Sequence, residues 1–458
     1  MKTRQMIPLF WTLLIFALHL CGNPLAAQFS EFSDTDGGGR IGKEEVEEIE
    51  YEYPSARHFS KKRQPQVQAE ERVRALSRFS LEFYAALTGD EKIKNQNIVC
   101  SPWNAALLLT MLYDGAEGDT AKEIRKALHF QGNFKLFEKY LYMTAFNIRA
   151  KRKHSFNSIP LLFDSANSFW GQKNYSFRSE YKELLSNRFC AEIFLTDFQK
   201  DSDKAVQEIN DWCAAKTRQE ITQILTVSDV PPETRMMILS AVYFKGRWES
   251  VFNTSKTKPE WFHYADGSVG KTATMNKEEY MDYYESNTFK AIRKDYCGNA
   301  HILILLPDEP EGLSELEKTL TSKKLRQINN QFMNELVKIK ILRFAFEYQA
   351  ELIPVLKTLG IQSVFDSKVS DLSKITDEKG FYIDFFRQTG IIKLDEEGTV
   401  AAAISGGGGM GGMPPKPKTF YADRPFLFMV CESTDNSILF MGRVHQPENY
   451  RGLNPPPL

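Results

Sequence analysis

Neither sign of charge dominates this chain of 458 residues. Its 58 lysines and arginines are offset by 59 aspartates and glutamates, which leaves a net charge of −1 at pH 7. Without an excess of charge, the chain has no global electrostatic attraction toward nucleic acid or an anionic membrane. We therefore expect neither partner, and any charged ligand must bind to a local patch.

Long apolar runs are also missing, except near the N-terminus. Residues 1–27 begin with Lys2 and Arg4, continue through an apolar stretch at residues 7–20, and end in the small residues Ala26 and Ala27. That order is typical of a secretory signal peptide, and the stretch is shorter than the roughly 20 residues of a membrane-spanning helix. The sequence therefore predicts a secreted, extracellular protein.

Cysteine is scarce. Of the 6 cysteines, Cys21 lies in the signal peptide, and the others are widely spaced without a CxxC pair: Cys100, Cys190, Cys213, Cys297 and Cys431. This pattern excludes a disulfide scaffold and a spacing-defined zinc site. We expect most of these cysteines to be free and buried.

The common motifs of catalysis are absent as well. The chain contains no GxSxG, HExxH or GxxxxGK[ST] motif, and its 7 histidines show no spacing typical of metal ligands. We therefore expect neither an enzyme nor a bound metal or cofactor.

Composition divides the chain into four parts. After the signal peptide, residues 28–69 are polar and include an acidic run at 44–53. Such a segment cannot bury enough apolar surface to offset its ordering entropy, so we interpret it as a disordered arm. The folded domain is assigned to residues 70–447 and a C-terminal tail to residues 448–458.

Apolar periodicity predicts mainly helices in the first half of the domain and strands in the second. Helices are expected over residues 72–87, 104–113, 121–128 and 134–148, and strands over residues 235–244, 301–306, 337–346, 391–394, 426–430 and 438–441. The predicted class is α+β. A glycine-rich stretch at residues 406–412 lies between strands and is predicted to be a long exposed loop.

A series of ordered motifs resembles those of the serpins over residues 70–447. They are Ser101-Pro102 followed by Gly115-Ala116, then Tyr243-Phe244-Lys245-Gly246-Arg247-Trp248, Leu305-Leu306-Pro307-Asp308, the segment from Asp395 to Ala403, Asp423-Arg424-Pro425-Phe426, and Phe440-Met441-Gly442-Arg443-Val444. The resemblance implies a serpin fold, with three β-sheets, eight or nine helices and an exposed reactive-centre loop.

The resemblance also implies an activity. Serpins present the loop as bait to a serine protease, here an extracellular one. After cleavage the loop enters the main sheet as an extra strand, which gains a row of strand hydrogen bonds and relieves stored strain. The inhibitor is consumed as a suicide substrate, and we expect it to be a monomer.

The hinge of this loop corresponds to eight consecutive residues: Glu396, Glu397, Gly398, Thr399, Val400, Ala401, Ala402 and Ala403. In an inserted strand, alternate side chains face the packed side of the sheet. Counting by two from Thr399 gives small residues throughout: Ala401, Ala403, Ser405, Gly407 and Gly409. The hinge is therefore compatible with insertion, although the glycines from Gly406 onward are expected to slow it, because glycine loses the most entropy on ordering in a strand.

The position of the scissile bond is left open, and the candidate residues are Met410, Gly411, Gly412 and Met413. Counting forward from Gly398 by the family's usual loop length gives Gly412-Met413, whereas counting back from the proline pair gives Gly411-Gly412. Met410 is the nearby residue with a sizeable side chain for a specificity pocket. It favours an elastase-like or chymotrypsin-like target over a trypsin-like one.

The resemblance marks two further groups of residues around the point where the main sheet opens. At its top, Trp248 matches an aromatic residue of the family, and Glu396 and Arg343 match positions that form a pair in relatives.

Lower down, Ser101 belongs to the early helix motif. Asn104, Ser240 and Gln388 stand where relatives commonly have Ser, Asn and His. Since those side chains form one buried hydrogen-bonded cluster, we interpret the three as a coordinated replacement that keeps donors and acceptors paired.

A basic cluster ends the helix predicted over residues 134–148: Arg149, Lys151, Arg152 and Lys153. Cations at a helix C-terminus complement the helix dipole and need no ligand. Some serpins, however, bind glycosaminoglycans on this helix and carry an acidic, tyrosine-containing arm, as this chain does at residues 44–53. The resemblance therefore adds a heparin-like glycosaminoglycan as a candidate partner.

Two sequons, at Asn174 and Asn253, are compatible with glycosylation in the secretory route.

The sequence thus predicts a secreted serine protease inhibitor. Two alternatives stay open. One is a non-inhibitory serpin that serves as a carrier, storage or binding protein because its glycine-rich loop does not insert. The other is an inhibitor of a cysteine protease, which would form its complex with a papain-like enzyme alone.

We expect the signal peptide to be cleaved near Ala27, so that the mature chain begins close to Gln28. Expression in a secretory cell and N-terminal sequencing of the protein in the medium checks this. A product that begins at Met1 contradicts it.

Overall fold

The computed structural model describes residues 63–149, 162–189, 191–396 and 416–447. These ranges contain nine α-helices: α1 (Arg63–Thr88), α2 (Pro102–Gly115), α3 (Gly118–Ala127), α4 (Phe134–Arg149), α5 (Ser179–Leu184), α6 (Ser202–Lys216), α7 (Leu313–Thr319), α8 (Ser322–Gln331) and α9 (Leu352–Thr358).

The same ranges contain fourteen strands: β1 (Ile98–Cys100), β2 (Leu162–Gln172), β3 (Glu192–Thr196), β4 (Met236–Lys245), β5 (Lys258–His263), β6 (Val269–Glu285), β7 (Phe289–Asp295), β8 (Ala300–Pro307), β9 (Met333–Leu342), β10 (Phe344–Glu351), β11 (Phe385–Leu394), β12 (Lys418–Ala422), β13 (Phe426–Glu432) and β14 (Ile438–Val444).

The described strands form two hydrogen-bonded networks. Five strands pair in the order β10-β11-β4-β2-β3, and nine pair in the order β1-β14-β13-β8-β7-β6-β9-β12, with β5 added on β6. The resemblance implies three sheets. The long strand β6 accounts for the difference, because it pairs with β5 and β9 along most of its length and with β7 at its end, and so joins the two smaller sheets into one network.

Apolar side chains cover both faces of the five-stranded sheet, because successive residues of β4 point to opposite faces. Ile238 and Phe244 belong to the main core, whereas Leu239 and Tyr243 belong to a second apolar cluster with Trp212 of α6. A sheet buried on both faces explains why β4 is an almost continuous apolar run, which the periodicity identified as a strand.

Helix α2 lies in the main core. It begins where the Ser101 side chain accepts a hydrogen bond from the backbone N–H of Asn104 at 3.2 Å, with Pro102 at the first helical position. Nearly all of its residues are buried, and it contacts β14 of the nine-stranded network. Its first turn contacts the five-stranded sheet, as described below.

The α+β class is confirmed, and α1 to α4 cover the four predicted helices. Helix α1 begins at Arg63, ahead of the domain start expected at residue 70. The single strand expected over residues 337–346 is wrong. The chain leaves β9 at Leu342, passes through Arg343 and starts β10 in the other network.

The expectation for the cysteines is confirmed among the described residues. Cys100, Cys213 and Cys431 are free and buried, while Cys297 is half-buried. Burial raises the pKa of the Cys213 thiol to about 12, so this thiol stays protonated at neutral pH. Among the described helices, none combines the length and the apolar character needed to cross a membrane.

Candidate functional site

The centre of the five-stranded sheet is a parallel pair of strands. β11 pairs with β4 in parallel, from Phe385 opposite Met237 to Ile392 opposite Phe244. We call β4 and β11 the central parallel pair. A chain that turned back after Leu394 would run antiparallel to both strands, and antiparallel ladders are slightly more stable per residue than parallel ones. The pair is therefore a place where an added strand improves the hydrogen bonding.

The upper end of the central parallel pair is closed by one hydrogen bond. Trp248, just beyond the end of β4, donates from its indole Nε1 to the backbone carbonyl of Asp395, just beyond the end of β11, at 2.8 Å. We call this bond the hinge clasp. The Trp248 ring is 1% exposed and stacks on Tyr296 with 4.4 Å between ring centroids. Burial raises the pKa of the Tyr296 hydroxyl, so the stacked ring stays neutral.

The residue after the clasp is also held. Glu396 is 5% exposed, and one of its carboxylate oxygens accepts a hydrogen bond from Thr257 Oγ1 at 2.6 Å. Its other oxygen lies 3.6 Å from Arg343 Nε, at the turn between β9 and β10. The structure thus brings together Trp248, Arg343 and Glu396, the three residues that the resemblance places at the top of the main sheet.

A buried polar cluster lies lower in the sheet, at the first turn of α2. The Asn104 amide donates to Ser240 Oγ of β4 and to Asn167 Oδ1 of β2, the latter at 2.9 Å. Its carbonyl oxygen accepts hydrogen bonds from Asn167 Nδ2 at 2.9 Å and from Ser165 Oγ at 2.8 Å. Asn104, Asn167 and Ser240 are all buried, so these bonds satisfy groups that have no access to bulk water.

The next strand is joined to the same helix by a different route. Gln388 of β11 accepts from the backbone N–H of Ser101 at 2.7 Å and donates to the Ser101 carbonyl at 3.1 Å. Ser101 Oγ donates in turn to the Leu439 carbonyl of β14 at 2.6 Å. The start of α2 therefore makes polar contacts with three adjacent strands, β2, β4 and β11, including both members of the central parallel pair.

The sequence did not single out Asn167 and Ser165. Both lie in β2, a strand that the apolar periodicity did not predict, and their partners are far away in sequence. The register explains their position, because Asn167 lies opposite Ser240 in the antiparallel pairing of β2 with β4. Asn104, Ser240 and Gln388 do lie around one helix start, but Gln388 bonds to backbone groups of Ser101 rather than to the other two side chains.

Several sequence-derived residues lie outside the described ranges. They are the remaining hinge residues at 397–403, the scissile-bond candidates Met410, Gly411, Gly412 and Met413, and the basic residues Lys151, Arg152 and Lys153. Arg149 is the last residue of α4. The chain is described again from Lys416, and β12 then pairs in parallel with β9. The sequon residues Asn174 and Asn253 are both exposed.

Comparison with known proteins agrees with this architecture. A family model described as Serpin (serine protease inhibitor) matches residues 74–447. An uncharacterised serpin-like protein of Thermococcus kodakarensis is 32% identical over 381 residues, which cover 82% of this chain and 86% of the relative. Leukocyte elastase inhibitor A of Mus musculus is 30% identical over 380 residues, which cover 81% of this chain and 97% of the relative.

A solved structure agrees as well. Serpin48, a highly specific serpin of the insect Tenebrio molitor, matches with a TM-score of 0.71 and 29% identity, covering 83% of this chain and 99% of that one. The chain belongs to the serpin family, whose description is serine protease inhibitor.

Asn104→Ala is expected to lower the free energy of unfolding by about 2 kcal/mol or more, because it leaves the buried side chains of Asn167 and Ser240 without a partner. Urea denaturation at neutral pH measures the effect. The matched control is Asn330→Ala at an exposed position of α8, which is expected to change stability by no more than about 0.5 kcal/mol. Equal midpoints for the two variants contradict the assigned hydrogen bonds.

Proposed function

We propose that this chain is a secreted inhibitor of an extracellular serine protease and acts as a suicide substrate. The observation that carries the proposal is the central parallel pair, with the root of the loop at its upper end. A strand that follows Leu394 and turns back meets two backbone edges at once. Insertion would exchange one parallel ladder for two antiparallel ones, which gives the cleaved form a lower free energy.

The composition of the loop supports the same mechanism. Thr399 and the alternate residues after it are small, so the side of the loop that turns toward the core brings no bulky or charged group. The described ends of the loop lie in different networks, since Glu396 follows β11 and Lys418 starts β12. An intact loop is held at both ends, and cleavage frees the end at Glu396 to move into the sheet.

Met410 supports an elastase-like or chymotrypsin-like target. It is the sizeable apolar side chain in a segment made mostly of glycine, and such a residue fits an apolar specificity pocket. Leukocyte elastase inhibitor A is among the relatives of this chain, which is consistent with a target of this class.

The glycine run favours one alternative, a non-inhibitory serpin that acts as a carrier, storage or binding protein. Residues 406–409 contribute no side-chain packing to an inserted strand, and each loses more backbone entropy than any other residue type. If that cost exceeds the gain in hydrogen bonding, the protease deacylates before the loop has inserted. The outcome is then a nicked chain without a complex.

Secretion is proposed on the basis of the signal peptide, and glycosylation on the basis of two sequons. Asn174 lies in an exposed turn after β2. Asn253 is exposed as well, and its Oδ1 accepts hydrogen bonds from the backbone N–H of Ser255 at 3.0 Å and from Ser255 Oγ at 2.8 Å. Both sites are accessible to the glycosylation machinery.

A heparin-like glycosaminoglycan is proposed as a second partner. The basis is a group of basic residues at the end of α4 and directly after it. Arg149, Lys151, Arg152 and Lys153 place four cations within five consecutive positions. Binding to a sulfated polyanion at such a cluster depends strongly on salt.

The inhibitory function is tested with elastase and chymotrypsin on SDS gels, together with the mass of the released C-terminal peptide. We expect a covalent complex and a peptide that begins after Met410, Gly411 or Gly412. Quantitative nicking without a complex, and without a gain in thermal stability, contradicts inhibition and favours the carrier alternative.

A pair of variants makes this test specific for insertion. Thr399→Glu places a charge on the side of the loop that turns toward the core, and we expect cleavage without complex. Val400→Glu places the same charge on the opposite side, and we expect the complex to persist. Equal behaviour of the two variants contradicts insertion in this register.

The polyanion proposal is tested on a heparin column. Neutralising Lys151, Arg152 and Lys153 together is expected to lower the salt concentration at elution, because the charges that bind the sulfate groups are lost. Neutralising Lys323, Lys324 and Arg326 of α8 is the matched control and is expected to leave elution unchanged. Elution of both variants at the wild-type position contradicts the proposal.

A further inference from the structure

A lysine is buried directly behind the hinge clasp. Lys294 of β7 is 4% exposed, and its ammonium lies 5.5 Å from the centre of the Trp248 ring and 5.1 Å from the centre of the Phe252 ring. It forms an ion pair with Glu279 of β6, whose side chain is 15% exposed. The indole that closes the central parallel pair is therefore in contact with a buried cation.

A buried ammonium is costly unless it is paired, so this position needs an explanation. Apolar side chains that fit between Trp248 and Phe252 would fill the same space without a desolvation penalty. The charge does have one effect that an apolar group lacks. A cation over an aromatic ring attracts its electrons, and this makes the indole N–H a stronger hydrogen-bond donor.

The donor in question is the group that forms the hinge clasp. Trp248 lies just beyond the end of β4, and Asp395 lies just beyond the end of β11. The bond between them therefore joins the ends of the two strands that must separate before a third strand can enter. The ring also stacks on Tyr296. The stacked ring and the nearby ammonium together restrict the orientation of the indole, and the charge of Lys294 strengthens the bond that the indole makes.

We propose that Lys294 is a positioning residue that, with Glu279, holds Trp248 in the hinge clasp and thereby sets the barrier to opening of the central parallel pair. This inference rests on the proposed function, because it concerns the sheet opening that insertion requires. Removing the cation weakens the clasp, so the sheet opens faster.

The charge of Lys294 also makes the clasp responsive to pH. Burial lowers the pKa of Lys294 to about 8, and Glu279 opposes that shift. The other charged groups that act on the ammonium are Lys277 of β6, which disfavours its charge, and Asp295 of β7, which favours it. As the pH rises through about 8, Lys294 loses its proton and its attraction for the indole, so opening becomes faster.

Uptake of a loop-like peptide measures this opening without any protease. The probe is a fluorescein-labelled synthetic peptide with the sequence of residues 398–411 and blocked ends, which contains no charged side chain. It is added to the intact full-length mature protein, and its binding rate is followed by fluorescence anisotropy from about pH 6.5 to about 9.5. Protein cleaved in the loop is the control for a filled sheet.

Three variants isolate the role of the cation. Lys294→Met combined with Glu279→Gln removes both charges of this pair, while Lys277, which also pairs with Glu279, keeps its hydrogen bond to Ser250 Oγ. Lys294→Arg keeps the cation. Arg293→Met is the matched control, because Arg293 precedes Lys294 on β7, points to the opposite face, and pairs with Asp282 instead of contacting Trp248.

We expect the double variant to take up the peptide about fivefold faster or more at pH 7, and at a rate that no longer changes with pH. Lys294→Arg and Arg293→Met are expected to stay near the wild-type rate at pH 7. If the wild type and the double variant both take up the peptide, with the same rate and the same pH profile, this inference is overturned and the proposed function is unaffected. A wild type that never takes up the peptide overturns both.

Discussion

The parallel pairing of β4 with β11 is the constraint on which the rest of this structure depends. It lies between two antiparallel pairings, β10 with β11 and β2 with β4. Because a parallel ladder is slightly less stable per residue, the centre of the sheet is a weak joint, as is the parallel pairing of β2 with β3 at its edge. Backbone hydrogen bonds alone would not keep an added strand out, so side chains at the middle and at the upper end of the pair contribute to keeping it closed.

The two groups of side chains use different chemistry. The lower cluster, at the middle of the pair, relies on neutral amide and hydroxyl groups around the start of α2, whose hydrogen bonds do not change between acid and neutral pH. The upper end relies on an indole N–H, a carboxylate and a buried ammonium. The lower cluster therefore gives constant cohesion, while the upper contacts can be altered by charge. For the proposed inhibitor, this division suits a sheet that stays closed until the loop is cleaved.

Much of the arrangement at the upper end could be predicted from the sequence, because the motifs around Trp248 and Glu396 are local and ordered. Other parts could not. The apolar pattern continues on both sides of Arg343. Periodicity alone therefore does not show that the chain passes there from one sheet to the other. Asn167 and Lys294 are polar residues in strands, and their burial depends on partners that only the fold brings close. Sequence patterns thus identify the central parallel pair and several of the side chains around it, but not Asn167 or Lys294.

The long strand β6 gives the two ends of the reactive loop a common support. Glu279 of β6 pairs through Lys294 with the hinge clasp, and the same residue lies opposite Val337 of β9, which in turn lies opposite Lys418 at the start of β12. The hinge clasp and the start of β12 are the anchors of the loop on its two sides. A short series of contacts that runs through Glu279 of β6 connects these two anchors. In the proposed inhibitory mechanism, a force exerted by a protease on the loop would act on both anchors together, and cleavage of one peptide bond between them would remove that force from both.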